Sequence, residues 1–299
     1  MKRKHLSLAI GCVPVPVAWA QALADIAVAV AQAKGVPAPV AGGTAPAQAQ
    51  AIAQALLAGE RKAILLGNAA AHHGHAAQLL ALAQWIGEQT GATVGYLTEA
   101  ANTVGAQWVQ AQPQKDGKNA GEMLTGAIKA AILLNTEPAF DAAAGAKGLE
   151  QADMVITLSP FKANLDISDV LLPVAPFTET SGTFVNAEGR VQSFHAVVKP
   201  LGETRPAWKV LRVLANLLEL PGFDYESSQD VLTAAIGAET KEVPSALRSN
   251  ITKVAAKVPE NEAAEPVTAS IYQLDGIVRR ATSLQLTADA RLAREGGAA

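Results

Sequence analysis

Residues 131–160 read AILLNTEPAFDAAAGAKGLEQADMVITLSP, and this stretch decides the fold class of the chain. It contains two short apolar runs of the buried-strand type, at 131–134 and 154–158, separated by a predicted helix at 140–149. A strand, a helix and a second strand in this order are typical of a parallel sheet covered by helices. The crossover between two such strands is right-handed in nearly all proteins, which favours a doubly wound layer.

The same alternation covers the sequence on both sides of this stretch. The predicted helices before it are 23–34, 47–57, 75–90 and 122–130, and the predicted strands are 63–66 and 91–97. After residue 160 the pattern predicts a strand at 169–173, a hairpin of 183–186 and 190–194, an amphipathic helix at 208–218 and a short helix at 231–236. The sequence therefore predicts an α/β fold: a doubly wound, mostly parallel sheet flanked by helices, with a β-hairpin insertion and a looser helical C-terminal tail.

Composition excludes several classes of function. The chain has 299 residues, of which 49% are hydrophobic, and a formal net charge of −3. That balance lacks the basic patch typical of nucleic-acid binding, so no nucleic-acid partner is expected. The single cysteine, Cys12, excludes a disulfide within the chain, a cysteine-ligated zinc site and an iron–sulfur cluster held by this chain alone. No apolar run reaches the ~18–20 residues of a membrane-spanning helix, so no direct span is expected.

The amino terminus resembles a secretory signal. Three basic residues at 2–4 precede a mostly apolar run that ends in Ala18-Trp19-Ala20, the pattern of an export signal with its cleavage site. Pro14 and Pro16 oppose this interpretation because proline interrupts the helix that the apolar segment should form. An exported α/β binding protein therefore remains one hypothesis.

Two polar turns lie at the carboxyl ends of predicted parallel strands. Asn68 follows the strand at 63–66, and Asn135 follows the strand at 131–134. Ligands of open α/β sheets bind at this edge, so both residues are candidate cofactor-binding positions. Neither turn has the glycine pattern of a dinucleotide fingerprint or a phosphate-binding loop.

Three histidines offer imidazole groups near the first of these turns. His72, His73 and His75 could ligate a metal, but no nearby carboxylate or thiolate completes a site and adjacent side chains diverge. We interpret them as polar residues at a helix start, and we predict no metal site.

Three carboxylates, Asp169, Glu179 and Glu188, could be taken as paired acids. Their positions among strand and turn residues suggest no geometry for general acid–base chemistry. No catalytic residue is therefore predicted from the sequence.

One region resembles a known family. Residues 169–173 (DVLLP), 179–192 (ETSGTFVNAEGRVQ) and 200–208 (PLGETRPAW) match, in order and spacing, a strand, hairpin and helix start of the molybdopterin oxidoreductase superfamily. Segments 63–68, 131–138 and 271–280 further resemble the long, cluster-bearing peripheral-arm subunit of the bacterial NADH-quinone oxidoreductase, respiratory complex I. This resemblance runs from about residue 23 to the end of the chain.

The resemblance implies a supporting role. Iron–sulfur clusters and the molybdenum ligand of this superfamily lie in segments upstream of the region matched here, so the chain is expected to hold no cofactor and no molybdopterin. The expected partners are other peripheral-arm subunits of the quinone oxidoreductase, on the cytoplasmic side of the inner membrane. The residues expected to maintain the motif are Gly182, Asn186, Gly189, Arg190 and Trp208.

The resemblance also divides the chain. Residues 1–22 are signal-like or derive from a truncated or split reading frame, 23–220 form the molybdopterin-oxidoreductase-like domain, and 221–299 form a helical extension and tail. The main alternative to the supporting role is half of a molybdopterin-dinucleotide-dependent oxidoreductase. In that case a pterin guanine dinucleotide occupies the crevice at Asn68 and Asn135, and a separate chain supplies the metal ligand.

Overall fold

The computed structural model describes residues 18–97, 100–142, 145–247, 251–259 and 270–296. The chain divides into two compact units. Unit 1 comprises Met1–Ala100 with Ser245–Thr268, and unit 2 comprises Ala101–Pro244 with Ala269–Ala299. These units are defined by contacts, whereas the division at residues 22 and 220 rests on the family resemblance and stays a prediction.

Unit 1 packs two helices against a third helix and a small parallel sheet. Its elements are α1 (Trp19–Lys34), α2 (Ala47–Ala58), β1 (Ala63–Leu66), α3 (Asn68–Ala71), α4 (Ala76–Thr90) and β2 (Thr93–Tyr96). Strand β1 pairs in parallel with β2. The core is rich in alanine, which lets the helices approach closely: Ala24, Ala27, Ala49 and Ala53 are buried together with Val30, Leu82 and Ile86.

Unit 2 contains the larger parallel sheet. Its elements before the hairpin are α5 (Thr103–Trp108), α6 (Ala120–Thr125), β3 (Ala130–Leu134), α7 (Pro138–Asp141), β4 (Met154–Ser159) and β5 (Val170–Pro173). Strand β4 lies between β3 and β5 and is parallel to both. The buried side of this sheet packs Leu133 and Val155 against Leu149.

The rest of unit 2 comprises a hairpin and short helices. The elements are β6 (Gly182–Val185), β7 (Val191–Phe194), α8 (Ala207–Leu217), α9 (Ser228–Ile236), α10 (Ile271–Leu274), α11 (Gly276–Arg280), α12 (Thr282–Gln285) and α13 (Ala288–Gly296). Strands β6 and β7 are antiparallel, with Val185 opposite Val191. The predicted fold class is confirmed: parallel sheets flanked by helices, an antiparallel hairpin and a helical tail. The parallel strands hydrogen bond as two sheets, of two and three strands.

Two predicted helices of unit 2 were wrong. The helix predicted at 122–130 ends at Thr125, because Gly126 has extended backbone and the chain then leads into β3. The helix predicted at 140–149 is replaced by α7 and a 3-10 helix, Lys147–Gln151. Helix α7 ends where Ala142 takes an extended backbone, and Gly145, with φ of 62°, lies between α7 and the 3-10 helix. Helix propensity favoured a helix in both segments, but the backbone becomes extended at Gly126 and at Ala142.

The signal-like segment is described only in its last residues. Residues 1–17, including Cys12, lie outside the described residues, whereas Trp19 begins α1 and Ala20 is buried within it. In the part of the chain that the structure describes, no helix is both long enough and apolar enough to cross a bilayer.

Candidate functional site

The carboxyl ends of β3, β4 and β5 meet at a cavity of about 420 Å³ in unit 2. This edge of a parallel sheet is where open α/β proteins bind ligands. Polar groups come from the strand ends and from the tail, and aromatic rings from the loops. The lining residues are Asn135, Glu137, Ser159, Pro160, Phe161, Pro176, Phe177, Phe184, Asp275, Gly276 and Ile277.

Asn135 is held at the mouth of β3 by its backbone. Its N–H donates to the carbonyl of Leu158 at 2.9 Å, and its φ of 50° is left-handed, a conformation that asparagine tolerates better than most residues. The turn is braced from the other side by Asn164, whose side-chain amide donates to the Thr136 carbonyl at 2.9 Å. These contacts fix the Asn135 backbone, and its exposed side chain lines the cavity.

The floor of the site contains a buried ion network. Arg280 forms a two-bonded fork with the Glu137 carboxylate, at 2.8 and 2.9 Å, and Arg279 donates to the same carboxylate at 3.0 Å. Arg279 also donates to Asp141 at 2.7 Å. The side chains of Arg279 and Glu137 are only 9% and 10% exposed, which makes these charge-assisted bonds stronger than surface ion pairs.

The ion network shifts the pKa values of Glu137 and Arg279. The hydrogen bond from Arg280, followed by the bonds and charge of Arg279, lowers the pKa of Glu137 despite the opposing effect of burial. Burial opposes the charged form of Arg279, but the hydrogen bonds to Asp141 and Glu137 outweigh it and raise its pKa. Glu137 is therefore ionised at neutral pH and is a binding partner for arginine rather than a proton donor.

Asn68, the other predicted crevice residue, lies in unit 1 as the first residue of α3. A cavity of about 440 Å³ adjoins this strand end, but it is lined by apolar side chains and by Gly67 rather than by Asn68. Asn68 and Asn135 thus belong to different units, and their cofactor-binding role stays a prediction.

The three histidines are engaged within unit 1. His73 is buried and stacks on Trp19 with ring centroids 5.9 Å apart, and its Nδ1 accepts a hydrogen bond from the His75 N–H at 2.9 Å. No cluster of three or more histidine, cysteine, aspartate or glutamate residues suited to a metal occurs within the described ranges.

The three carboxylates considered as acids have separate structural partners. Asp169 accepts from the Val155 N–H at 2.7 Å and so links β4 to the start of β5. Glu179 accepts from the Leu201 N–H at 3.0 Å, and Glu188 forms an exposed 3.7 Å ion pair with Arg190. The structure therefore does not bring them together as an acid pair.

The hairpin residues organise a turn. The Asn186 side chain accepts from the N–H groups of Glu188 and Arg190, at 3.1 and 2.9 Å, and Gly189 adopts φ of 84°. Gly182 lies against the Phe194 ring, where an added Cβ would be 2.7 Å from Cζ.

The remaining motif residues lie beside the hairpin and at the start of α8. Arg190 forms an isolated antiparallel β-bridge with Glu242 through its backbone. Trp208 is half-buried near the start of α8, where Lys209 Nζ lies 5.3 Å from the centre of its ring. Their proposed structural role stays a prediction.

The sequence did not identify Glu137, Arg279 and Arg280 as residues of the site. The sequence pattern places Glu137 in a turn, and Arg279 and Arg280 in the helical C-terminal tail, with no contact predicted between them. The available signal was the pair of adjacent arginines in a segment of otherwise apolar helical spacing, together with a lone glutamate close after a strand end.

The chain belongs to the molybdopterin oxidoreductase family, which matches residues 45–217. A Staphylococcus aureus protein named "Putative formate dehydrogenase" is 39% identical over 77 residues, which are 25% of this chain and 8% of that protein. The Bacillus subtilis "Probable oxidoreductase YjgC" is 40% identical over 70 residues, 23% of this chain and 7% of that protein. The matches thus span less than a tenth of the length of these relatives.

Proposed function

We propose that this chain is the part of a molybdopterin-dependent oxidoreductase that provides a wall of the cofactor site, with the metal ligand supplied from outside the described residues. The observation that carries the proposal is the cavity at the carboxyl edge of β3–β4–β5. The names of the relatives, a formate dehydrogenase and an oxidoreductase, support an enzyme of this class.

The cavity lining fits a planar heterocycle. The rings of Phe161, Phe177 and Phe184 offer flat apolar surfaces, and the Asn135 amide and the buried Ser159 hydroxyl offer hydrogen bonds in the same space. The described part of the lining includes no lysine or arginine, so its residues suit the ring system of a pterin dinucleotide better than its pyrophosphate.

In this proposal the residues of the chain bind and orient, and the bound group supplies the redox chemistry. Asn135 would hydrogen bond to the ring edge, because its fixed backbone turn places its amide in the lining of the cavity. Phe177 would cover one face of the ring and exclude water from it. Glu137, an ionised carboxylate bound by arginine, would hold no proton to exchange with the ligand.

Metal and pterin analysis of the purified holoprotein or complex tests this function. We expect molybdenum or tungsten and an oxidised pterin fluorophore in stoichiometric amounts. Asn135→Gly, which keeps the left-handed turn and removes the amide, should lower the bound pterin several-fold. The absence of both metal and pterin from the native assembly would refute the proposal.

A matched pair of variants tests the aromatic wall. Phe177 and Leu165 are equally exposed, at 61% and 62%, but only Phe177 lines the cavity. Phe177→Ala should lower pterin content and Leu165→Ala should not. Equal loss in both variants would mean that the aromatic wall does not hold the ligand.

The second candidate function is the structural one: a supporting part of the cluster-bearing peripheral-arm subunit of complex I, on the cytoplasmic side of the inner membrane and bound to the neighbouring subunits of that arm. One observation favours it. The segments at 131–138 and 271–280 that resemble this subunit contact each other through Glu137, Arg279 and Arg280. Co-purification with peripheral-arm subunits, without pterin, would support this candidate, and a monomer that none of them binds would exclude it.

A further inference from the structure

The C-terminal segment 270–285 lies directly over the edge of the β3–β4–β5 sheet. Asp275, Gly276 and Ile277 form one wall of the carboxyl-edge cavity, facing the strand-end residues Asn135 and Ser159. The wall has its own local order: Asp275 caps α11 by accepting from the N–H groups of Ile277 and Val278, at 2.8 and 3.0 Å. The cavity therefore has this wall only while the segment is docked.

The segment is docked mainly by charge. The two guanidinium groups of α11 share the carboxylate of Glu137, and each also lies over an aromatic ring, Arg279 over Phe140 at 5.0 Å and Arg280 over Phe161 at 4.3 Å. These contacts lie at the inner side of the segment, between it and the loops that follow β3 and β4.

Apolar burial contributes little to the same attachment. Four large apolar side chains of the segment are substantially exposed, from 37% to 71%, namely Ile271, Leu274, Ile277 and Leu284, whereas Tyr272 and Val278 are half-buried. Apolar area removed from water is what holds most elements in place, and here little is removed. An element attached by a few directional ionic contacts can separate from the sheet without unfolding it.

We propose that residues 270–285 form a lid over the carboxyl-edge cavity, latched by Arg279 and Arg280 on the single carboxylate of Glu137. Opening the latch exposes the cavity, whose aromatic lining accepts a planar ligand, and closing it encloses that ligand. The lid rests on the geometry of unit 2 and is independent of whether the ligand is a pterin.

Amide hydrogen exchange of the full chain, read by mass spectrometry, tests the latch. Glu137→Gln keeps the shape of the side chain and removes the charge, so exchange in 271–285 should accelerate at least tenfold while β4 stays protected. Glu150→Gln, an exposed glutamate of the same unit, is the matched control and should change neither. Unchanged exchange in 271–285, or equal acceleration in β4, would overturn the latch.

A second measurement tests whether the released segment is a lid. The fluorescence of 8-anilinonaphthalene-1-sulfonate, an aromatic probe of exposed apolar cavities, should rise several-fold with Glu137→Gln and remain at the wild-type level with Glu150→Gln. Arg280→Lys keeps the charge but loses the two-bonded fork, and should give an intermediate increase. Faster exchange of the segment without added probe binding would overturn the lid. Both readouts are obtained without the cofactor, so their outcome is separate from that of the pterin analysis.

Discussion

Strand β1 in unit 1 and residues 131–134 of β3 in unit 2 have the same sequence, Ala-Ile-Leu-Leu, but they bury different residues. In β1 the second and fourth residues face inward, and Leu66 packs against Leu79 and Ala83 of α4. In β3 the first and third face inward, and Leu133 packs against Leu149 and Val155. The third residue of this shared sequence is thus 57% exposed in β1, as Leu65, and 8% exposed in β3, as Leu133.

The turns after the two strands differ as well. Gly67 continues the extended backbone, with φ of −90° and ψ of −176°, and leads into α3. Asn135 turns left-handed and leads into the loop with the buried Glu137. Identical strands thus adjoin a cavity lined by apolar side chains and Gly67 in unit 1, and a cavity that also contains amide and carboxylate groups in unit 2, according to the residues that follow them.

The largest expected effect concerns the third residue of the Ala-Ile-Leu-Leu sequence, which is Leu65 in β1 and Leu133 in β3. Leu133→Ala removes a buried side chain and should lower the free energy of unfolding by about 2–5 kcal/mol, whereas Leu65→Ala should cost less than about 1 kcal/mol. Urea denaturation of both variants measures this difference. Similar losses would show that the two strands bury the same face after all.

The next effect concerns the ion network of Glu137, Arg279 and Arg280 in unit 2, whose contribution to stability should depend on pH. Because the folded pKa of Glu137 is lowered, its stabilisation is complete above the unfolded value of about 4.3 and is lost as the pH falls through the lower folded value. Wild type should exceed Glu137→Gln in stability by about 1–3 kcal/mol at pH 7. The difference between their urea midpoints should shrink as the pH falls below about 4.3. A difference that is constant from pH 7 to pH 3 would contradict the assignment of the stabilisation to this carboxylate.

A smaller effect compares two tightly packed glycines. A Cβ at Gly148 in unit 2 would overlap the backbone carbonyl of Leu124, which cannot move without its helix. A Cβ at Gly87 in unit 1 would meet Val94 Cγ2 at 2.5 Å, and alanine there gains helix propensity of about 1 kcal/mol. Gly148→Ala should therefore cost about 1–3 kcal/mol and Gly87→Ala less. Thermal unfolding of the two variants ranks them, and the reverse order would be inconsistent with these contacts.

The smallest expected effect on stability concerns the turns that follow β1 and β3. Asn135→Ala should cost about 1 kcal/mol because alanine resists the left-handed conformation, and Asn135→Gly should restore stability to within about 0.5 kcal/mol of wild type. Gly67→Ala should change stability by less than about 0.5 kcal/mol, since its backbone is extended and none of the described residues lies within 4 Å of the added Cβ. The check is the set of denaturation midpoints; destabilisation by Asn135→Gly would mean that the side chain, rather than the backbone, holds the turn.

The sequence predicted the strands better than the helices between them. Apolar runs at 131–134 and 154–158 match β3 and β4 to within one residue, because a buried strand needs a continuous apolar run. The helices predicted at 122–130 and 140–149 were wrong because helix propensity is only a weak local preference, and the backbone becomes extended at Gly126 and at Ala142. The hairpin was predicted correctly since Gly189 supplies the positive φ that its loop requires.

The site was predicted only in part. Asn135 was identified as a crevice position, and the structure places it at the cavity, but its role as a ligand contact is still to be tested. Arg279 and Arg280 were missed because they lie 142 and 143 residues along the chain from Glu137. A contact over that distance depends on how the tail packs, which no local pattern encodes.

The sequence by itself determined the local features: short buried strands, the hairpin, helices α1, α2 and α4 of unit 1, and the family to which the segments at 169–208 pointed. Those features follow from hydrophobic periodicity and turn chemistry, which act within a few residues. Only the tertiary structure decided which face of each Ala-Ile-Leu-Leu strand is buried and which charges meet Glu137. Side chains alternate along a strand, so either face can be the inner one, and the packing helices select it.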